Sequence, residues 1–451
     1  MGRVTRRAFT VAALSTLAVT PGATAAPQPP GVPAGTRGRG PHGGGSPGDG
    51  AGDAGSRGDG ARGDGARADG ARGDGAATEM RGMWLATVAN RDWPSRTGLS
   101  VARQRGELTA LLDAAVRRRL NTVFFQARPT ADALWPSPYE PWSQFLTGTQ
   151  GKDPGWDPLG TAVEEAHARG LRLHAWFNPY RVALHDDPSR LAASHPARKH
   201  PGWVVPYGGK LYYNPGLPEV RAFVQEAMLD AVRRYPVDGV HFDDYFYPYP
   251  VAGHSFGDDA AFARHGGGFS GRAAWRRDNI DRLVRETAAG IARVRPGTQF
   301  GVSPFGVWRN ASTDARGSDT RAGAQSYDDL YADTRTWVRK GWIDYIVPQL
   351  YWNIGLSAAD YAKLVPWWAE VARGSRTRLY LGEALYKAGD ASQGKAWRDP
   401  DELSRHLTLA KKYPQVRGHV FFAAKEVAAD PAGAMARVVA GHYRQPARPP
   451  R

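Results

Sequence analysis

The chain predicts an α/β protein: a single (β/α)8 TIM barrel with long strand-to-helix loops, preceded by a disordered N-terminal linker. Three observations lead there. After Met80, short apolar runs alternate eight times with longer segments in which apolar residues recur at spacings of three and four. The runs are nearly continuous in apolar character, as befits strands covered on both faces. Turns from helix into strand are brief, such as Ala168-Arg169-Gly170, whereas those from strand into helix are long, as in 181–217, 246–271 and 306–324. In a barrel the long loops all rise from the C-terminal face of the strands, where active sites of this fold lie.

In chain order, the first segment reads as an export signal. Arg3, Arg6 and Arg7 form a basic head, Phe9 to Val19 an apolar run, and Ala23-Thr24-Ala25 a small-residue cleavage site. Thr5-Arg6-Arg7-Ala8-Phe9 has the form of a twin-arginine signal, so residues 1–26 are expected to direct the protein out of the cytoplasm. Residues 27–78 are Gly, Ala, Arg, Asp and Pro in a near five-residue repeat, with almost nothing apolar to bury, and are expected to be a disordered linker. The barrel is expected over 79–442 and a short disordered tail over 443–451. The strands are assigned to 81–88, 122–128, 171–178, 239–244, 300–305, 345–351, 379–385 and 419–424. Helical spacing is clear between them, for example Leu108-Leu111-Leu112-Ala115-Val116 and Val220-Phe223-Val224-Ala227-Met228.

Composition narrows the function. With no cysteine, disulfides, thiolate metal sites and a cysteine nucleophile are all excluded. The histidines lack paired ligand spacing and no glycine-rich phosphate loop opens a helix, so neither metal nor cofactor is expected. Beyond the signal no stretch of about 18 apolar residues occurs, so stable membrane insertion is not expected. Residues 1–79 hold nine Arg against six Asp and one Glu, leaving +13 of the net +15 on the remainder. A basic exported domain is drawn to anionic polymers such as cell-wall glycans. Nucleic acid is not the expected partner, because no helix carries a dense Lys/Arg stripe. Oligomeric state is left open.

The candidate site collects the polar residues at strand ends. The fourth predicted strand runs Val240-His241-Phe242-Asp243-Asp244-Tyr245, an apolar strand that delivers two carboxylates to its tip. Burying an unpaired carboxylate costs several kcal/mol, so such a strand normally ends in a polar cleft. Carboxylates among aromatic rings point to sugar chemistry, since glycosidic cleavage uses two carboxyl groups and sugar rings stack on aromatic faces. Residues two apart share a face, so His241, Asp243 and Tyr245 face the barrel axis together, with Asp244 at the rim. Asp243 is therefore the first candidate for an essential carboxylate, the alternative being a salt bridge to Arg128. Its partner is Asp244, Asp132 or Glu383; Glu383 alternatively binds hydroxyls or pairs with Lys387. Arg128, Asp132, Trp176, Asn178, Tyr180, His241, Tyr245, Ser303, Trp308, Gln349, Tyr351, Trp352 and Lys387 are expected to bind substrate, several of the aromatics as sugar platforms.

At these residues the sequence resembles glycoside hydrolase-like family 10, a group of exported bacterial barrel proteins. The resemblance is carried by Arg81-Gly82-Met83-Trp84, by Phe125-Gln126-Ala127-Arg128-Pro129 and by His174-Ala175-Trp176-Phe177-Asn178-Pro179-Tyr180-Arg181. It continues in His241-Phe242-Asp243-Asp244-Tyr245-Phe246-Tyr247-Pro248, Gly301-Val302-Ser303-Pro304-Phe305-Gly306-Val307-Trp308 and Pro348-Gln349-Leu350-Tyr351-Trp352. It spans about residues 79 to 442 and implies a barrel and hydrolysis of a polysaccharide, with peptidoglycan glycan strands lacking peptides as the substrate suggested for relatives.

Overall fold

A computed structural model of the protein describes residues 77–450. Of the export signal and linker expected over 1–78, residues 1–76 lie outside the described residues. The strands are β1 (Met80–Leu85), β2 (Thr122–Arg128), β3 (Arg172–Phe177), β4 (Arg181–Ala183), β5 (Val204–Tyr207), β6 (Lys210–Tyr213), β7 (Gly239–Phe242), β8 (Gln299–Val302), β9 (Tyr345–Ile346), β10 (Arg378–Glu383) and β11 (Val416–Phe422). Eight of them close a parallel barrel in the order β1-β2-β3-β7-β8-β9-β10-β11, with β11 returning to β1. Helices Val101–Arg117, Pro158–Ala168, Pro218–Arg234, Arg272–Val294, Thr334–Lys340, Tyr361–Ala372, Glu402–Ala410 and Ala434–His442 alternate with them. This is the (β/α)8 barrel the sequence predicts, and each predicted strand is present. Among the described residues no helix is long and apolar enough to cross a membrane.

The helices form where the sequence supplies both a start signal and an apolar face. Ser100 accepts the backbone N–H of Arg103 and Asp157 that of Gly160, capping two of them. Leu108, Leu112 and Ala115 on the first, and Val220, Val224, Ala227, Met228 and Ala231 on Pro218–Arg234, are buried.

The interior of the barrel is unusually polar. Phe124, His174, His241 and Tyr345 pack across the axis, with ring centroids 4.6 to 6.1 Å apart. The Tyr345 hydroxyl lies 2.8 Å from His174 Nδ1 and 3.2 Å from His241 Nδ1. These rings fit only because glycines face them. A Cβ on Gly239 would lie 2.4 Å from the His174 ring, and one on Gly301 2.2 Å from the Tyr345 ring. Gly301→Ala is expected to cost about 1–3 kcal/mol by overpacking, read as a lower denaturant midpoint at constant slope.

Two differences from expectation matter for the site. The fourth strand stops at Phe242 rather than Asp244, because the carboxylates turn out of the ladder to meet side chains in the mouth. The loop after β3 contains an antiparallel sheet of order β4-β6-β5, which the sequence reading left as irregular. Its strands are only three or four residues long, too short for a clear period.

The tail expected to be disordered is instead held to the barrel. Tyr443 is buried beneath the Arg81 guanidinium, 4.1 Å from its ring centroid. Arg448 pairs with Thr78 as a parallel bridge, its N–H donating to Ala77 O at 2.8 Å while its carbonyl accepts Glu79 N–H at 3.0 Å. The Arg81 guanidinium adds a bond to Gln445 O at 2.7 Å. The segments entering and leaving the barrel are thus bound to each other where its strands begin.

Candidate active site

The mouth of the barrel is organised around Asp243 and Asp244, only 6% and 7% exposed. A chain of amides supports Asp243. The Gln126 side-chain carbonyl accepts the backbone N–H groups of Thr87 (2.8 Å) and Val88 (2.9 Å), which fixes its amide to donate to Asn178 Oδ1 at 2.6 Å. Asn178 Nδ2 in turn donates to Asp243 Oδ2. The other oxygen of Asp243 accepts the Tyr245 N–H at 3.1 Å. Asp244 is held on the opposite side: Tyr249 donates its hydroxyl to Oδ2, and Gln349 Nε2 donates to Oδ1 at 3.0 Å and to Ser303 O at 2.9 Å.

Both carboxyls are pushed above the usual range. Burial is the main cause for Asp243, reinforced by the neighbouring charge of Asp244 and opposed by Arg181 and the hydrogen bonds, bringing it to about 7. Burial also raises Asp244, against the donors Tyr249 and Gln349, which favour its charged form. The two titrate as a pair, and the charge of Asp244 opposes ionisation of Asp243. Asn178→Ala removes a bond that holds Asp243 down. Its expected result is an alkaline limb of the pH–rate profile moved up by about one unit, with turnover reduced.

Glu383 does not belong to this pair. On β10 Tyr380 faces the axis, where its ring meets Tyr345, so Leu381 and Glu383 face the helices. Glu383 is 0% exposed and saturated there. Tyr361 and His419 donate to Oε1 at 2.7 and 2.9 Å, and His406 donates to Oε2 at 2.8 Å. His406 is flanked again by Glu402 at 3.2 Å. Despite burial, the two histidines hold Glu383 below the ordinary carboxylate range, as a fixed anion behind the barrel wall.

The other residues expected to contact substrate make protein contacts of their own. Arg128 is fully buried and bonded to Glu140 through Nε (2.6 Å) and Nη2 (2.5 Å), not to Asp243; its remaining donors take Asn178 O and Pro179 O. It braces the β3 end. Asp132 is buried beneath the β2 loop, accepting Thr130 N–H at 3.2 Å. His241 is buried below Asp243, its Nε2 facing the Trp84 indole N–H at 3.1 Å and the Ser303 hydroxyl at 2.9 Å. Burial drives its pKa well below the ordinary value, so it is a neutral support, and so is Ser303. Trp308 is buried and donates to Asp333 at 3.0 Å among Arg309, Arg316 and Arg335. Tyr180 is fully buried, whereas Trp176 and Tyr351, 5% and 8% exposed, are about as enclosed as Asp243 and Asp244 themselves. Lys387 is bonded to Tyr351 O at 2.8 Å and lowered to about 8 by burial.

Of the predicted residues, the structure therefore gathers Asp243, Asp244, Asn178, Tyr245 and Gln349 into one cluster, with Trp352 at its edge. Trp352 is partly exposed and continues edge-to-face through Phe305 (5.3 Å) to Tyr249 (6.0 Å), a half-exposed aromatic row along the mouth. Gln126, Tyr249, Phe305 and Arg181 were not assigned from sequence. The available signal was shared parity with Asn178 for Gln126, and a place just past a strand end for the others.

A parallel barrel whose C-terminal mouth holds a coupled carboxylate pair beside aromatic rings has the architecture of the glycoside hydrolase class. The chain belongs to the glycosyl hydrolase-like 10 family, whose model matches residues 79–399. It is 47% identical over 374 residues to glycosyl hydrolase YngK of Bacillus subtilis (strain 168), covering 82% of this chain and 73% of that protein. Against glycosyl hydrolase DigH of Escherichia coli (strain K12) it is 43% identical over 367 residues, covering 76% of this chain and 82% of that one. Among solved structures, the PgaB (BpsB) glycoside hydrolase domain from Bordetella bronchiseptica shares the fold, with a TM-score of 0.53 at 13% identity, covering 80% of this chain and 98% of that one.

Proposed function

We propose that the protein is an exported glycoside hydrolase that cleaves a cell-wall polysaccharide, peptidoglycan glycan strands in particular, using Asp243 and Asp244. The observation that carries this reading is the pair itself, two adjacent buried carboxyls both raised above the ordinary range, Asp243 to about 7 because the charge of Asp244 adds to burial. Asp243 gives its proton to the leaving glycosidic oxygen as the C–O bond breaks. Asp244 offsets the positive charge at the anomeric carbon and takes a proton from the water that attacks it. Tyr249, Phe305 and Trp352 supply faces for neighbouring sugars. The family and the names of its relatives support glycosyl hydrolysis; the wall polymer and the export route are supported by the basic charge and the N-terminal signal.

Purified peptidoglycan glycan strands incubated with the protein should release reducing ends, and Asp243→Asn should abolish release with the fold intact. A second reading, a glycan-binding barrel without catalysis, is favoured by the withdrawal of Glu383, which leaves no carboxylate of β10 facing the mouth. Binding of strands without release of reducing ends by the unsubstituted protein would establish that reading instead.

A further inference from the structure

The end of the barrel opposite Asp243 and Asp244 has a cavity of its own. Its volume is about 520 Å³, and it opens among the segments that lead into β1, β10 and β11, with Thr78 and Gln415 at its edge. Arg376 lies just before β10, Arg378 is the first residue of β10, and Arg417 is the second of β11; all three line the cavity. No Asp or Glu is among its described lining residues, so three guanidinium groups share one hollow without a charge of opposite sign.

Contacts within the chain account for only part of this arrangement. Arg376 donates through Nε to Gly341 O at 3.0 Å, at the C-terminal end of helix Thr334–Lys340. Arg378 is partly buried and Arg417 exposed, and among the described residues none of the three forms an ion pair. Acids at this end of the barrel are engaged elsewhere: Asp344 accepts the Phe300 N–H, Glu79 pairs with Arg81 and Asp238 with His167, each at 2.8 Å. Exposed Lys411 and Lys412 follow helix Glu402–Ala410 and lead to Pro414 on the cavity wall, adding to the positive charge beside it. Each of these cations repels the others, so the fold gains nothing by collecting them, whereas a concave wall of one sign concentrates the field that an anion meets.

We propose that this cavity is a second binding site, separate from the mouth, and that it takes a phosphate group within a phosphodiester-linked polyol or sugar polymer. Three guanidinium forks offer more donors than the two oxygens of a carboxylate accept, and a phosphate presents acceptor oxygens on several sides. The cavity is much larger than a lone anion and falls within the range of about 300–1,000 Å³ that small organic ligands occupy, so the phosphate comes with an organic body. Thr78 and Gln415 offer neutral polar groups for its hydroxyls. A polymer held where the strands begin leaves the mouth where they end open, so the site tethers the protein without competing for what Asp243 and Asp244 bind.

The test uses the full chain and a fluorescent oligomer of glycerol phosphate, with affinity read by anisotropy in about 0.15 M salt. Arg376→Gln, Arg378→Gln and Arg417→Gln together should weaken binding at least about tenfold. The same loss of charge at exposed helix positions elsewhere, Arg103→Gln, Arg264→Gln and Arg282→Gln, should change it by less than about twofold. Arg417→Gln alone, which removes no hydrogen bond of the fold, should weaken it about threefold. Equal losses in the two triple variants, or no loss in either, would mean that net charge alone acts, and the proposal fails. Competition settles the chemistry of the ligand. Inorganic phosphate, polyglutamate of equal charge, and vesicles of phosphatidylglycerol and phosphatidylcholine in equal parts should each fail to displace the oligomer at matched concentration. Displacement by phosphate would define a free-anion site, by polyglutamate a general acidic-chain site and by vesicles a membrane-docking face, and any of the three overturns the proposal.

Discussion

Asp243→Asn is expected to lower glycan cleavage by about a hundredfold to ten-thousandfold, the range a positioned general acid contributes, and at the same time to make the protein more stable at alkaline pH. The second effect follows from the first. The folded-state pKa of Asp243, about 7, lies above its ordinary value of 3.8. Its contribution to stability is therefore complete below about pH 4 and is lost as pH rises through 7. Asparagine carries no charge to bury, but it turns one acceptor into a donor that faces either Asn178 or the Tyr245 N–H, losing about 1 kcal/mol of hydrogen bonding. The net gain should be about 1–3 kcal/mol at pH 8, disappearing by pH 5. Urea unfolding of both proteins across that range measures it. A variant equally inactive but not stabilised at pH 8 would mean that Asp243 is already ionised in the folded enzyme and is not the proton donor.

The second large effect lies behind the barrel wall. His406→Ala is expected to destabilise the protein by about 3–5 kcal/mol, because Glu383 and Glu402 would lose the cation between them. It also removes the ring stacked on Tyr361 at 3.7 Å. The pH dependence separates the partners. Interaction with Glu383 and Glu402 raises His406 above 6.5, so its contribution is complete below that value and lost as pH rises through the folded pKa. Glu383 is lowered below 4.5, so its contribution is present above that value and lost as pH falls through the folded pKa. The network should therefore stabilise most between about pH 4.5 and 6.5, and His406→Ala should flatten the stability profile there. Glu383→Gln offers the complementary check on chemistry: per folded molecule its turnover should stay within about threefold of the parent. A thousandfold loss in a folded variant would return Glu383 to the reacting groups.

The architecture was legible because it is written in period and loop length, both of which a barrel imposes on every repeat. Asp243, Asp244, Asn178, Tyr245 and Gln349 could be read for a related reason: each stands at or just past a strand's end, where parity aims it. Glu383 misled because its place in the chain resembles theirs. Its parity is that of Leu381 rather than Gly382, and only the register of β10 against β11 reveals that it faces His406 and Tyr361. Trp308 and Arg128 misled differently, since a residue in a loop or at a strand's last position is assumed open to the mouth until its partner is known. Asp333 lies 25 residues from Trp308 and Glu140 12 from Arg128, distances over which sequence carries no contact signal.

The bridge between Thr78 and Arg448 has a consequence for how the molecule can be rebuilt. Because the segments that enter and leave the barrel meet at its foot, covalent order around the ring is arbitrary: in a barrel cut free of the preceding residues, a short peptide could join residue 450 to residue 77, and new ends could be opened in an exposed turn elsewhere. The Gly208-Gly209 turn between β5 and β6 is one such place. A permutant opened there would keep Asp243, Asp244 and the amides that support them on continuous barrel segments, and would place the new ends in the small sheet of the loop after β3.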